Sequence, residues 1–140
     1  MRLVLDTNVV ASALLWGGEP GRLLRLARER RIAAFTSTAL LAELADILGR
    51  RKFEYKIAAS LMSVDQLVDR YADLASVVRP TAVAGIAPDP DDDVVIGTAL
   101  AANAELVVTG DKALRSVGEH RGVRIVGVGQ ALAIIDQPPR

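Results

Sequence analysis

Two periods of apolar and polar positions organise the chain. Leu3-Val4-Leu5 is a short apolar run that stops at Asp6-Thr7-Asn8, after which Val9, Val10, Ala13 and Leu14 recur at helical spacing. The opening unit is therefore strand, acidic turn, helix. Gly17-Gly18-Glu19-Pro20-Gly21 predicts a break, and Leu23, Leu24, Leu26 and Ala27 carry a second helix with Arg22, Arg25, Arg28 and Arg30 outside. Ile32 to Phe35 reads as a strand. Thr36, Ser37 and Thr38 supply an N-cap for the clearest amphipathic helix, whose face is traced by Leu40, Leu41, Leu44, Ile47 and Leu48 as far as Gly49. A helical stretch from Phe53 to Ala75 with a break near Ser63 follows, then a short strand at Val77-Val78.

The segment from Pro80 to Pro90 is the least regular. Asp89-Pro90-Asp91-Asp92-Asp93 then introduces a helix of small and apolar residues, Val94 to Ala102, which must be buried nearly all round. Leu106-Val107-Val108 is a strand ending in Thr109-Gly110-Asp111. A short helix at Lys112 to Ser116, a loop holding His120, a strand at Val123 to Val126 and a helix at Gln130 to Ile135 complete the pattern. Strands alternating with helices predict an α/β domain with a mainly parallel central sheet and helices on both faces. With 140 residues the chain is expected to hold one such domain, over 1–136, and a short tail at 137–140.

Composition narrows the chemistry. The absence of cysteine excludes a disulfide scaffold, thiol catalysis and any Cys-ligated metal, and makes a reducing cytoplasm the expected location. The single histidine, His120, excludes a two-histidine acid–base ribonuclease and a His-cluster zinc site within one chain. The longest uncharged run, Thr7 to Gly18, is too short to span a bilayer, and Asp6 and Asn8 interrupt what would be the apolar core of a secretory signal. No membrane association is expected. Lys+Arg and Asp+Glu are both 17, so no overall field draws the protein to nucleic acid, and such a partner must be held by local patches.

Chemistry must then run on carboxylates. Asp6 and Asp111 each follow the carboxyl end of a strand, the edge at which open α/β sheets place ligands. Asp91, Asp92 and Asp93 head the buried Val94 helix, and Glu43 falls on the border of the apolar face of its own helix. Helix capping and dipole pairing account for single acids here. They do not account for three consecutive aspartates together with acids at two strand ends. Anions crowded together share protons or share a cation. Oxygen-only donors select a hard ion, Mg²⁺ or Mn²⁺, which binds through few carboxylates plus waters and substrate phosphate.

These residues resemble the PIN-domain family of metal-dependent ribonucleases. Val4-Leu5-Asp6-Thr7-Asn8-Val9 is similar to its first motif, Glu43 within Thr38-Ala39-Leu40-Leu41-Ala42-Glu43-Leu44 to its second acid, and the stretches Asp89 to Asp93 and Val107 to Asp111 to its third and fourth. The spacing from Thr109 back to the third acid fits Asp93 best. The resemblance implies that Asp6, Asp93 and Asp111, completed by Glu43, bind Mg²⁺ or Mn²⁺ for in-line hydrolysis of RNA, with Asn8 and Thr109 orienting a carboxylate or water. Asp92 stands as an auxiliary acid that trades places with Asp93 or binds a second metal. The run Gly49-Arg50-Arg51-Lys52-Phe53 and the Pro-Asp-Asp-Asp segment resemble the VapC-like toxin branch, which implies an antitoxin partner and a homodimer.

Arg22, Arg25, Arg50, Arg51 and Lys52 are the candidates for tracking RNA phosphates, although Arg25 with Glu29 is equally an ordinary i,i+4 surface pair. Trp16, Phe53 and Tyr55 fit a core or a protein interface better than a base-stacking platform. Among competing families, a haloacid-dehalogenase-like phosphatase wants a second Asp where Asn8 stands, and a receiver domain wants an acidic pair at the first strand. A catalytically silent PIN fold that binds RNA or protein is the alternative from another functional class.

Overall fold

A computed structural model describes residues 1–137; the expected tail lies, beyond Gln137, outside the described residues. Six strands, β1 (Arg2–Leu5), β2 (Ala33–Thr36), β3 (Ser76–Val77), β4 (Leu106–Val108), β5 (Glu119–His120) and β6 (Val123–Val126), form one sheet in the order β3-β2-β1-β4-β6-β5. All neighbours are parallel except β5 with β6. The chain winds outward from β1 through β2 to β3 and returns to β4 on the other side of β1. That reversal of direction between β1 and β4 creates a crevice at their carboxyl ends, where such sheets bind ligands.

Among the described residues eight helices cover the sheet: α1 (Thr7–Leu15), α2 (Gly18–Arg28), α3 (Thr38–Leu48), α4 (Glu54–Ser60), α5 (Val64–Leu74), α6 (Asp93–Ala101), α7 (Lys112–Arg115) and α8 (Val128–Ile135). Alternation along each strand sends Leu3, Leu5, Leu106 and Val108 to one face, where they join residues of α1, α2, α3, α5 and α8. Val4, Val107 and Ile125 point to the other, against α6 and Leu114 of α7. Helices on both faces explain why the strands read as continuous apolar runs.

Three local outcomes depart from the expected pattern. The break expected at Gly17 to Gly21 is present but narrower: α1 ends at Leu15, Gly17 and Gly18 take φ 77° and 61°, and α2 already starts at Gly18. His120 lies in a strand and not in a loop, because Arg121 and Gly122, both at positive φ, make the two-residue turn of a tight β5–β6 hairpin. The third short strand begins one residue early, at Ser76, whereas the break expected near Ser63 is present as a capping box with Gln66.

The irregular segment before α6 is fastened to it. Thr81 N–H donates to the Gly97 carbonyl at 3.0 Å, and a Cβ on Gly97 would stand 2.3 Å from the Thr81 carbonyl oxygen. Glycine in a helix interior ordinarily costs stability relative to alanine. Here Gly97→Ala is expected to destabilise instead, by about 1–3 kcal/mol, because backbone must move to admit the methyl. Urea unfolding of the two proteins measures the difference, and an equal or higher midpoint for the variant would refute the close approach.

Candidate active site

At the end of β1, the Asp6 N–H bonds the Val108 carbonyl of β4, which fixes the first acid at the crevice between the two strands. Asp6 is the N-cap of α1: Oδ1 accepts from Thr7 N–H at 2.8 Å, and Oδ2 accepts from the Thr109 hydroxyl at 2.6 Å. Only 4% of the residue is exposed. The Thr109 Oγ1 in turn accepts the Asp111 N–H at 3.0 Å, and Asp111 caps α7 by accepting from Ala113 N–H at 2.9 Å. One threonine therefore joins the acids at the two strand ends.

Glu43 comes from α3, which Ser37 caps. Its Oε1 accepts from the Thr7 hydroxyl at 2.8 Å, so the helical angle that put Glu43 at the border of the core corresponds to a contact with the first turn of α1. The three aspartates before α6 divide. Asp91 is exposed in a single 3-10 turn, Pro90–Asp92, that Asp89 caps. Asp92 is half-buried, and burial first, then the like charges of Asp6, Asp111, Asp89 and Glu43, push its carboxyl up from 3.8 to about 6. Three acids distant in sequence, together with Asp89 three positions away, thus act on one carboxyl.

Asp93 has a different task. It is 6% exposed, and its two oxygens accept the backbone N–H groups of Gly85, Ile86 and Ala87 at 3.0, 3.2 and 2.7 Å. The carboxylate that spacing favoured as the third acid is engaged by the loop at Gly85 to Ala87, and Asp92, one residue earlier, is the one that feels the like charges of the other acids. The two differ because the chain passes from a 3-10 turn into an α-helix between them, a change that residue counting does not register.

Of the two residues expected to orient the acids, Thr109 does so through Asp6, whereas Asn8 is exposed and makes no hydrogen bond to an acid among the described residues. Thr7, which the sequence shows only as part of the Asp6-Thr7-Asn8 turn, holds Glu43 instead. The candidate phosphate-tracking residues stand apart. Arg22 pairs with Asp136 at 2.8 Å, Arg25 borders a cavity of about 230 Å³ with Arg28 and Arg70, Arg50 and Arg51 line a separate cleft, and Lys52 lies over the Phe53 ring. No hydrogen bond among the described residues links any of these five to the acids.

The donors fit a hard divalent cation in one specific way. Every donor is a carboxylate or hydroxyl oxygen, and the Arg22–Asp136 contact, away from the site, is the one ion pair among the described residues. The mutual repulsion felt at Asp92 is left uncompensated by the chain itself. Among the described residues no three acidic or histidine side chains are already drawn in around an ion. Mg²⁺ typically takes one or two carboxylates and fills its remaining positions with water and substrate oxygen, so such an open arrangement suits it.

A family model for the PIN domain matches residues 2–113. Over 124 residues, 86% of this chain and 77% of the relative, the sequence is 29% identical to an uncharacterized protein of Methanocaldococcus jannaschii. The fold is similar to a chain in the crystal structure of VapBC2 from Rickettsia felis bound to a DNA fragment from their promoter, with a TM-score of 0.58 and 18% identity, covering 91% of this chain and 98% of that one.

Proposed function

Starting from the fact that the chain belongs to the PIN-domain family, we propose that it is a Mg²⁺- or Mn²⁺-dependent endoribonuclease, the toxin component of a toxin–antitoxin pair. The observation that carries this reading is the hydrogen-bonded set at the crevice between β1 and β4, in which Thr109 joins Asp6 to Asp111 and Thr7 holds Glu43, while burial and the like charges of these acids push the Asp92 carboxyl up. Asp6, Asp92 and Asp111 would hold the cation directly or through water, with Glu43 closing the acidic pocket. Its chemistry there is neutralisation of phosphate charge and activation of water for in-line attack.

The chain's own contribution is orientation. The Thr109 hydroxyl donates a hydrogen bond to Asp6 Oδ2, and the Thr7 hydroxyl donates one to Glu43 Oε1, so each acid keeps a defined direction before substrate arrives. Asp111, with Oδ1 committed to Ala113, presents Oδ2 as its free oxygen. Asp93, by holding Gly85 to Ala87, keeps the turn before α6 in the shape that aims Asp92.

Thr109→Val removes the Asp6 contact with little change of volume and is expected to weaken Mn²⁺ binding and cleavage about 10–100-fold. Calorimetric titration with Mn²⁺ and cleavage rates check both, and a variant equal to wild type would remove Thr109 from the site. A protein partner is supported by an exposed apolar surface at the ends of α1 and α4. Trp16, packed edge-to-face on Phe53, is 53% exposed, Tyr55 83% and Leu61 92%. The VapBC2 likeness suggests an antitoxin for that surface, and self-association into a homodimer belongs to the same proposal.

Incubation of the purified, folded protein with a generic structured RNA tests the activity. Cutting in Mn²⁺ that stops in EDTA is the expected result. Intact RNA in Mn²⁺, from protein freed of any copurifying partner, would favour the silent binding module.

A further inference from the structure

Arg115 ends the short helix α7, one turn beyond Asp111, whose carbonyl accepts the Arg115 N–H at 3.0 Å. Its side chain runs back over the end of β6. Nη1 lies 3.3 Å and Cδ 3.9 Å from the point where a Cβ on Gly127 would stand, and the Thr109 carbonyl oxygen is 3.9 Å from that same point. Thr109 and Gly127 are the residues that follow the last paired positions of β4 and β6, Val108 and Val126. The guanidinium is thus laid along the carboxyl edge of the sheet, on the β6 side of the acids, where the absence of a side chain at Gly127 leaves it room.

Among the described residues the group has no partner. Its Nε is buried and unbonded, and the guanidinium forms no ion pair among the described residues. An arginine cannot discharge itself by losing a proton, so a half-buried guanidinium beside a functional edge calls for an anion from outside the chain. Its planar fork matches phosphate oxygens better than a lysine ammonium does. An RNA strand entering an acidic crevice meets repulsion at every phosphate except the one the cation neutralises. A fixed cation at the rim offsets that repulsion for a neighbouring phosphate.

We infer that Arg115 is a positioning residue that grips a backbone phosphate adjacent to the scissile one, an inference that rests on the ribonuclease reading. The residue touches the strand and not the reacting atoms. Sequence reasoning passed over it because the arginine-rich stretches of α2 and of the Gly49 to Phe53 run drew attention to charge density, whereas Arg115 is a lone cation defined by where α7 carries it.

Arg115→Gln, Arg115→Lys and, as a control at the opposite sheet edge, Arg31→Gln are compared with wild type. Anisotropy of a labelled single-stranded oligoribonucleotide in EDTA gives affinity against salt, and cleavage in Mn²⁺ gives kcat and KM. The slope of log affinity on log salt is expected to fall by about 0.7 in Arg115→Gln and to stay unchanged in Arg31→Gln. KM rises about tenfold in Arg115→Gln with kcat little altered, and Arg115→Lys recovers the slope but only part of the KM. A wild-type slope in Arg115→Gln, an equal loss in Arg31→Gln, or a fall in kcat at constant KM would overturn the inference. A changed slope in a protein that cuts no RNA with any cation would instead leave Arg115 as a phosphate contact and remove the nuclease reading.

Discussion

Asp92→Asn is expected to reduce Mn²⁺-dependent RNA cleavage about a thousandfold while making the metal-free protein more stable at neutral pH. The loss follows from removing a charged ligand at a site whose cation contributes several kcal/mol to stabilising the phosphate in the transition state, with about 1.4 kcal/mol per tenfold. The gain in stability has the opposite origin. Asp92 holds its proton more tightly in the folded chain, at about 6, than at its ordinary value of 3.8. The contribution of Asp92 to native stability is therefore greatest below 3.8 and declines as pH rises through 6, when the carboxyl ionises among its neighbours. Asparagine carries no charge at any pH. Thermal melts in EDTA should place the variant above wild type at pH 7.5 and bring the two together below pH 4. A variant that melts lower at pH 7.5 would contradict the crowding of charge at this position.

Asp93→Ala is expected to do the reverse in kind: stability falls by about 3–5 kcal/mol, and activity is lost as a consequence of a displaced turn. The carboxylate holds three backbone N–H groups, two of them at 3.0 Å or less, and its removal leaves those donors without acceptors behind the site. The melting temperature should drop by about 10–20 °C. Residual cleavage should recover at temperatures where the variant is folded and at raised Mn²⁺, conditions that do not rescue Asp92→Asn. Two adjacent aspartates are thereby separable, one by chemistry and the other by folding. A stable Asp93→Ala protein with no activity at any Mn²⁺ concentration would return Asp93 to the set of metal ligands.

Much of this arrangement is legible from residue types alone, and what is not has identifiable causes. Leu3 to Leu5 and Leu106 to Val108 announce a buried parallel sheet because strands covered on both faces need no polar alternation. Asp6 and Asp111 are found from topology, since a parallel sheet presents its carboxyl edge as the place where side chains converge. Glu43 follows from counting helical angle. The proposed exchange of Asp93 for Asp92 escapes such counting because it rests on a 3-10 turn and on three backbone donors that sequence does not display. Thr7 is ambiguous for a related reason: a hydroxyl at the start of a helix can serve its own backbone or reach 36 positions along the chain to a glutamate, and only the packing of α3 on α1 decides. The β5–β6 hairpin, with two residues in its first strand, is too short for any periodicity to register.

The most direct test of the account is calorimetric titration of Mn²⁺ into the RNA-free protein at pH 7.5, with wild type, Asp92→Asn and Asn8→Ala compared at a temperature where all three are folded. The account predicts saturable binding by wild type, the same binding by Asn8→Ala, whose side chain is exposed and bonded to no acid, and loss of binding in Asp92→Asn. Undiminished Mn²⁺ binding by Asp92→Asn would contradict it.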